Sequence, residues 1–168
     1  MRRSTLAALV LAACLTSCRA PTSDTSLDLT FSSSPDPAAA EASTGVTYQV
    51  TNANDTVSTF EYPYRTSFTV TINEKGGKAL DIVALNAAVQ MAAGGIVIQP
   101  SGGESVYYKY TSSAGGNHIN AKGSATIGFT VWYDLPNDGK EALITLTFGF
   151  EDEDDSGYTE TFKVKVAP

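Results

Sequence analysis

Residues that carry chemistry are scarce in this chain of 168. There are two cysteines, Cys14 and Cys18, and both fall within the first 18 positions, so neither a disulfide framework nor a four-ligand zinc site is available to staple a fold. The single histidine, His118, closes the glycine-rich run Ser112-Ser113-Ala114-Gly115-Gly116-Asn117-His118. It has no nucleophile motif to serve, since no Gly-x-Ser-x-Gly occurs, and neither Gly102-Gly103 nor Gly115-Gly116 has the Lys-Ser/Thr ending of a phosphate loop. Basic residues are also few: 11 Lys and Arg oppose 18 Asp and Glu for a formal charge of -7, and loss of Arg2 and Arg3 with the segment before Cys18 leaves -9. Phosphate binding demands a concentrated basic surface, so nucleic acid is not an expected partner. The inventory argues against an enzyme and against a tightly held cofactor.

Long hydrophobic runs are missing too. The apolar stretch Leu6 to Leu15, behind Arg2 and Arg3, falls short of the roughly 18 residues a membrane span needs and has the shape of an export signal. It ends in Leu11-Ala12-Ala13-Cys14 and Leu15-Thr16-Ser17-Cys18, each of which resembles the lipobox of bacterial lipoproteins. The resemblance implies a signal peptide over residues 1–17 and a diacylglyceryl thioether with fatty acyl chains such as palmitate on Cys18, or alternatively on Cys14. It also implies an extracytoplasmic protein anchored by lipid to the cell membrane or outer membrane. In a cell with two membranes, the residue after the acylated cysteine, Arg19 or Leu15, is not the Asp that retains some lipoproteins at the inner membrane, and the resemblance then implies outer-membrane sorting.

From position 18 to 45 the composition turns to Pro, Ser, Thr, Asp and Ala, which bury too little apolar surface to offset ordering entropy. A flexible tether of this length spans on the order of 30 Å. Within it, Leu27-Asp28-Leu29-Thr30-Phe31 alternates strictly and has the pattern of an edge strand.

Residues 46–168 read as an all-β domain. Short alternating runs rich in Val, Ile, Thr, Tyr and Phe recur at Thr47 to Val50, Val57 to Tyr64, Phe68 to Ile72, Gly95 to Gln99, Glu104 to Thr111, Ala125 to Tyr133, Glu141 to Phe150 and Tyr158 to Val166. Residues 79–93 read two ways: Leu80, Ile82 and Ala84 alternate like a return strand after Gly76-Gly77, while the Ala-rich end before Gly94-Gly95 suits a helix. Seven or more strands in this length predict a two-sheet antiparallel sandwich. The run from Phe68 to Ile82 resembles the first hairpin of bacterial surface immunoglobulin-like modules, and Lys140 to Val166 resembles their closing hairpin. The resemblance implies an immunoglobulin-like β-sandwich. The alternation Ile127, Phe129, Val131, Tyr133 sets Trp132 on the other face of its strand.

Two constellations remain. Asp152-x-Asp154-x-Ser156-Gly157 resembles the opening of an EF-hand calcium loop, with Tyr158 offering a carbonyl and Glu160 a further oxygen, although Lys163 stands where a bidentate Glu is needed. The plain alternative is a solvated acidic hairpin. Tyr108 and Tyr110 share one face of their strand, where tyrosines either fill the core and rim of a sandwich or, exposed, stack on a sugar or a protein. The expected function is a non-enzymatic, lipid-anchored envelope module for adhesion, assembly or structural interaction. It would meet an envelope protein or glycan, with a carbohydrate-binding module using surface tyrosines as the alternative.

Overall fold

A computed structural model describes residues 27–51, 54–95, 97–98, 106–112 and 116–168. Among the described residues thirteen strands follow one another: β1 (Leu29–Ser34), β2 (Ala38–Ala39), β3 (Glu41–Ala42), β4 (Thr47–Thr51), β5 (Val57–Glu61), β6 (Tyr64–Glu74), β7 (Leu80–Met91), β8 (Val97–Ile98), β9 (Val106–Ser112), β10 (His118–Ile119), β11 (Ser124–Tyr133), β12 (Ala142–Asp152) and β13 (Gly157–Ala167). Among the described residues no helix is long and apolar enough to cross a membrane.

The fold is an all-β sandwich. The first sheet runs β1-β6-β11-β9, with β3 also beside β6, and the second runs β10-β7-β12-β13-β2, with β8 beside β7. Pairing is antiparallel except for β13 with β2. The period-two pattern explains the layering. Phe68, Val70 and Ile72 on β6, Ile127, Phe129 and Val131 on β11, and Ile144, Leu146, Phe148 and Phe150 on β12 are all buried, while their neighbours in sequence face out. Phe148 meets Phe129 edge-on across the sandwich at 6.4 Å, and Phe68 stacks on Phe129 at 5.4 Å. Each fully buried side chain of this size contributes about 1.5–3 kcal/mol through the water it sheds.

The fold begins well before position 46. The alternating Leu29-Thr30-Phe31 enters β1, which pairs with β6 from Leu29↔Glu74 to Ser34↔Thr69, and Ala38 on β2 is fully buried against the core. The Pro- and Ser-rich composition from 18 to 45 therefore does not mark one continuous tether. From Leu27 onward, Leu27, Leu29 and Phe31 give the segment an apolar side that packs on the core.

Residues 80–91 form strand throughout, and the alanines are accommodated because β12 pairs with β7 along its length, from Ala142↔Met91 to Asp152↔Leu80. The turn between β6 and β7 is not a hairpin, since its two strands lie in different sheets. The chain instead arches across the sandwich, and a buried glutamate sets the arch: Glu74 Oε2 accepts the N–H of Gly77 at 2.9 Å and of Lys122 at 2.7 Å. Burial opposes ionisation of Glu74, but the surrounding N–H donors outweigh it and hold the carboxyl below its usual range. The second hairpin is present as expected, β12 and β13 pairing from Ala142↔Val166 to Glu151↔Gly157.

Tyr62-Pro63 interrupts the run from Val57, so that β5 pairs with β4 as a separate two-stranded ribbon. The ribbon packs Tyr48 against Phe60 at 5.5 Å and against the buried Tyr62 at 4.8 Å, and the Tyr48 hydroxyl donates to Asp134 Oδ2 at 2.7 Å.

Candidate functional site

The acidic hairpin lies at the turn between β12 and β13, and Asp152 is its organiser. Oδ1 accepts the N–H groups of Asp154 and Ser156, each at 3.0 Å, while Oδ2 accepts the Lys78 ammonium and the Tyr158 hydroxyl, each at 2.8 Å. Lys78 also donates to the Tyr158 hydroxyl at 3.0 Å. The Lys78 bond, then the Ser156 N–H and the Tyr158 hydroxyl, hold the Asp152 carboxyl well below the usual carboxylate range. The reciprocal bond from Asp152 pushes Lys78 up.

Of the expected calcium ligands, Asp152 has both carboxylate oxygens engaged by donors from the protein itself. Asp152, Asp154, Ser156 and Tyr158 come together at the turn, where the backbone N–H groups of Asp154 and Ser156 and the Tyr158 hydroxyl donate to Asp152, and the ammonium of Lys78 stands against Oδ2. Glu160 lies farther along β13, in register with Phe148. Among the described residues, no three His, Cys, Asp or Glu side chains are grouped to hold a metal ion. The local spacing gave no sign of Lys78, because it arrives from the arch 74 positions away in sequence.

The tyrosine strand is β9, at one edge of the first sheet. Its register with β11 pairs Val106, Tyr108 and Tyr110 with Tyr133, Val131 and Phe129, all of them inward. Tyr108 accordingly reaches across the sandwich, its hydroxyl donating to the Leu85 carbonyl at 2.9 Å, and burial, with Tyr110 beside it, pushes that hydroxyl above the ordinary tyrosine range. Tyr108 is half-buried and packs against the core. Tyr110 follows the same side but is 48% exposed, its ring 6.4 Å from Phe129.

The outward face of β9 carries a second grouping, of aromatic and basic side chains. Tyr107 pairs with Trp132 and Lys109 with Thr130. The Tyr107 and Trp132 rings lie 5.3 Å apart, and the Lys109 ammonium sits 5.7 Å and 5.8 Å from the two ring centres. Trp132 is on the outer face, as the alternation of β11 predicts. Beside it runs a groove of about 540 Å³ over Gly128, bordered by Ser67, Thr69, Thr111 and Thr130. The signal available in sequence was the shared parity of Gly128, Thr130 and Trp132. Tyr62, close to Tyr107 at this end, has its hydroxyl pushed up to about 12 by burial and by the neighbouring Tyr48, Tyr107 and Asp134.

His118 is on β10, with Nδ1 2.9 Å from Asp81 Oδ1 on an exposed surface. Cys14 and Cys18 lie outside the described residues.

No protein-family model matches the chain, and no curated protein matches it. Among solved structures, a Northeast Structural Genomics Consortium target, SoR45, is similar over 83% of this chain and 87% of its own, with 16% identity and a TM-score of 0.46. A family 123 glycoside hydrolase from Clostridium perfringens, studied for glycolipid glycan hydrolysis, is similar over 61% of this chain and 21% of its own, with 12% identity and a TM-score of 0.32. Similarities of this size assign no activity, substrate or partner to the chain.

Proposed function

We propose that the chain is a lipid-anchored, non-enzymatic binding module of the bacterial envelope, built on an immunoglobulin-like sandwich and acting in adhesion, assembly or structural interaction. The strand order supports the fold family: β1-β6-β11-β9 facing β7-β12-β13 has the A-B-E-D and C-F-G arrangement of constant-type immunoglobulin domains.

The observation that carries the functional reading is polarity. The described chain enters beside the last residues of β6, where the Lys75 N–H donates to the Asp28 carbonyl at 2.8 Å. The β12–β13 turn lies at that same pole, through the pairing Asp152↔Leu80, while Trp132 and Tyr107 lie toward the opposite pole, where β11 ends against the start of β6. Between Cys18 and Leu27 the covalent chain reaches at most about 30 Å. An acyl chain on Cys18 would thus keep the entry pole toward the lipid and turn the aromatic pole outward. The non-enzymatic part is supported by how polar groups are used: Glu74 is consumed by backbone N–H donors and Asp152 by Lys78, Tyr158 and its own turn.

Metabolic labelling with an alkyne fatty acid in a bacterium that processes lipoproteins tests the anchor. Label on the native chain that disappears with Cys18→Ser, or with Cys14→Ser if that is the acceptor, is the expected result. An unlabelled native chain, or label that survives both substitutions together, refutes it.

A further inference from the structure

The aromatic pair and the trough beside it do nothing for the sandwich that a plain sheet surface would not do. Gly128 opposes Thr69 on β6 and Thr111 on β9, and it leaves the floor of the groove bare. A Cβ there would stand 3.1 Å from Thr111 Oγ1, so any larger side chain fills the trough. The walls are hydroxyls: Ser67 and Thr130 lie 3.2 Å apart, and Thr69 donates to the Ser34 carbonyl at 3.2 Å. Each hydroxyl is one donor and two acceptors, so these pairs leave hydrogen-bonding capacity for a guest.

Charge narrows the guest. Among the described lining residues Lys109 carries the only charge, and nearby Arg65 is offset by Glu41 at 3.0 Å. The acidic turn, Glu153 to Asp155, lies at the other pole of the molecule. A cationic guest is therefore disfavoured at the groove, while a neutral or anionic one is accepted. The guest must also present an apolar face to an indole and many small polar groups to a hydroxyl-lined wall. A pyranose has both, with C–H bonds on its faces and hydroxyls around its rim. The groove volume lies within the roughly 300–1,000 Å³ of small-molecule sites.

We propose that this groove is a polysaccharide-binding site. It takes one or two pyranose rings, with a ring against Trp132, its hydroxyls on Ser67, Thr69, Thr111 and Thr130, and Lys109 at the rim. This deepens the binding-module reading and rests on it, but it is independent of the acyl anchor. The two fail separately, one in the labelling experiment and the other in sugar binding.

Trp132 is the chain's single tryptophan, so its emission reports the groove directly. The full chain, kept in an oligoethylene-glycol ether detergent that offers no sugar headgroup, is titrated with soluble laminarin, xylan, dextran and polygalacturonate, and the same four are cast into native affinity gels. The expected result is a saturable emission change and retarded migration with at least one of them. Gly128→Val, which keeps the indole, should weaken that binding at least about tenfold, whereas Tyr108→Phe should leave it unchanged. If Gly128→Val does not fold, Trp132→Ala read in the gels takes its place and must abolish retardation. Lys109→Gln should lower affinity for polygalacturonate more than for a neutral glucan. No response to any of the four polysaccharides overturns the proposal, and so does binding that a folded Gly128→Val or Trp132→Ala chain retains in full.

Discussion

Replacing Phe31 by alanine separates a strand from a tether. In a tether the ring is in water, and its removal changes stability by no more than about 0.5 kcal/mol. On β1 the half-buried ring lies 5.5 Å from Phe148 and 5.6 Å from Phe162. A buried phenylalanine cut back to alanine costs about 3–5 kcal/mol. With part of the ring already open to solvent, about half to two-thirds of that applies, or roughly 2–3 kcal/mol. At about 3–4 °C per kcal/mol for a domain of this size, the Tm falls by about 6–12 °C. Urea unfolding followed by Trp132 emission, paired with calorimetry, measures both quantities. Ser32→Ala, exposed on the opposite face of the same strand, is the control and should move stability by less than about 0.5 kcal/mol. If Phe31→Ala shifts the Tm by less than about 2 °C, β1 is not a structural strand and the reasoning fails.

The carboxyls of Glu74 and Asp152 titrate lower in the folded chain than in the unfolded one, so their contribution is fully present above about pH 4 and is lost as pH falls through their lower folded values. The Tm should decline on that acid limb, and Asp152→Asn should flatten the decline; a Tm independent of pH below about 4 contradicts the assignment. At neutral pH Asp152→Asn should lower the Tm by several degrees, because four donors lose their charged acceptor. Melts of the native chain in millimolar calcium and in excess chelator should superimpose, whereas a saturable calcium-dependent rise would restore a ligand role for the hairpin. Tyr108→Phe should cost about 1 kcal/mol in denaturant unfolding by orphaning the Leu85 carbonyl, and unchanged stability would place the hydroxyl in solvent.

What was legible in the sequence is what a strand writes in its own period. β6, β11 and β12 bury alternate residues along most of their length, and β13 alternates exposed with half-buried or buried positions; the bounds of β11, β12 and β13 follow the pattern closely, whereas β6 runs from Tyr64 to Glu74, beyond the expected Phe68 to Ile72. Partnership between distant segments is not written there. Gly76-Gly77 announces a turn, but whether its strands pair or part depends on Glu74 reaching Lys122, 48 positions on. The parity of β9 joins Val106, Tyr108 and Tyr110 correctly, yet aromatic residues stand on both of its faces, so the strand alone does not say which face is inside. The EF-hand-like spacing is equally local, and the cation that Asp152 meets is a lysine from the arch between β6 and β7. At β1 composition and period disagreed: the serines and prolines read as tether, while the alternation of Leu27, Leu29 and Phe31 read as an edge strand, and the fold follows the alternation.

The placement of β1 also decides how the molecule bears load. Held by a lipid at its entry pole and by a partner at Trp132, it would feel tension along β1 toward Leu29 and away from Ser34. All six register pairs with β6, from Leu29↔Glu74 to Ser34↔Thr69, then stretch together, because the pull runs parallel to the strands instead of peeling them apart one at a time. So held, a strand that composition assigns to a slack leash would be the part that resists shear, and detachment under flow would have to rupture that whole ladder at once.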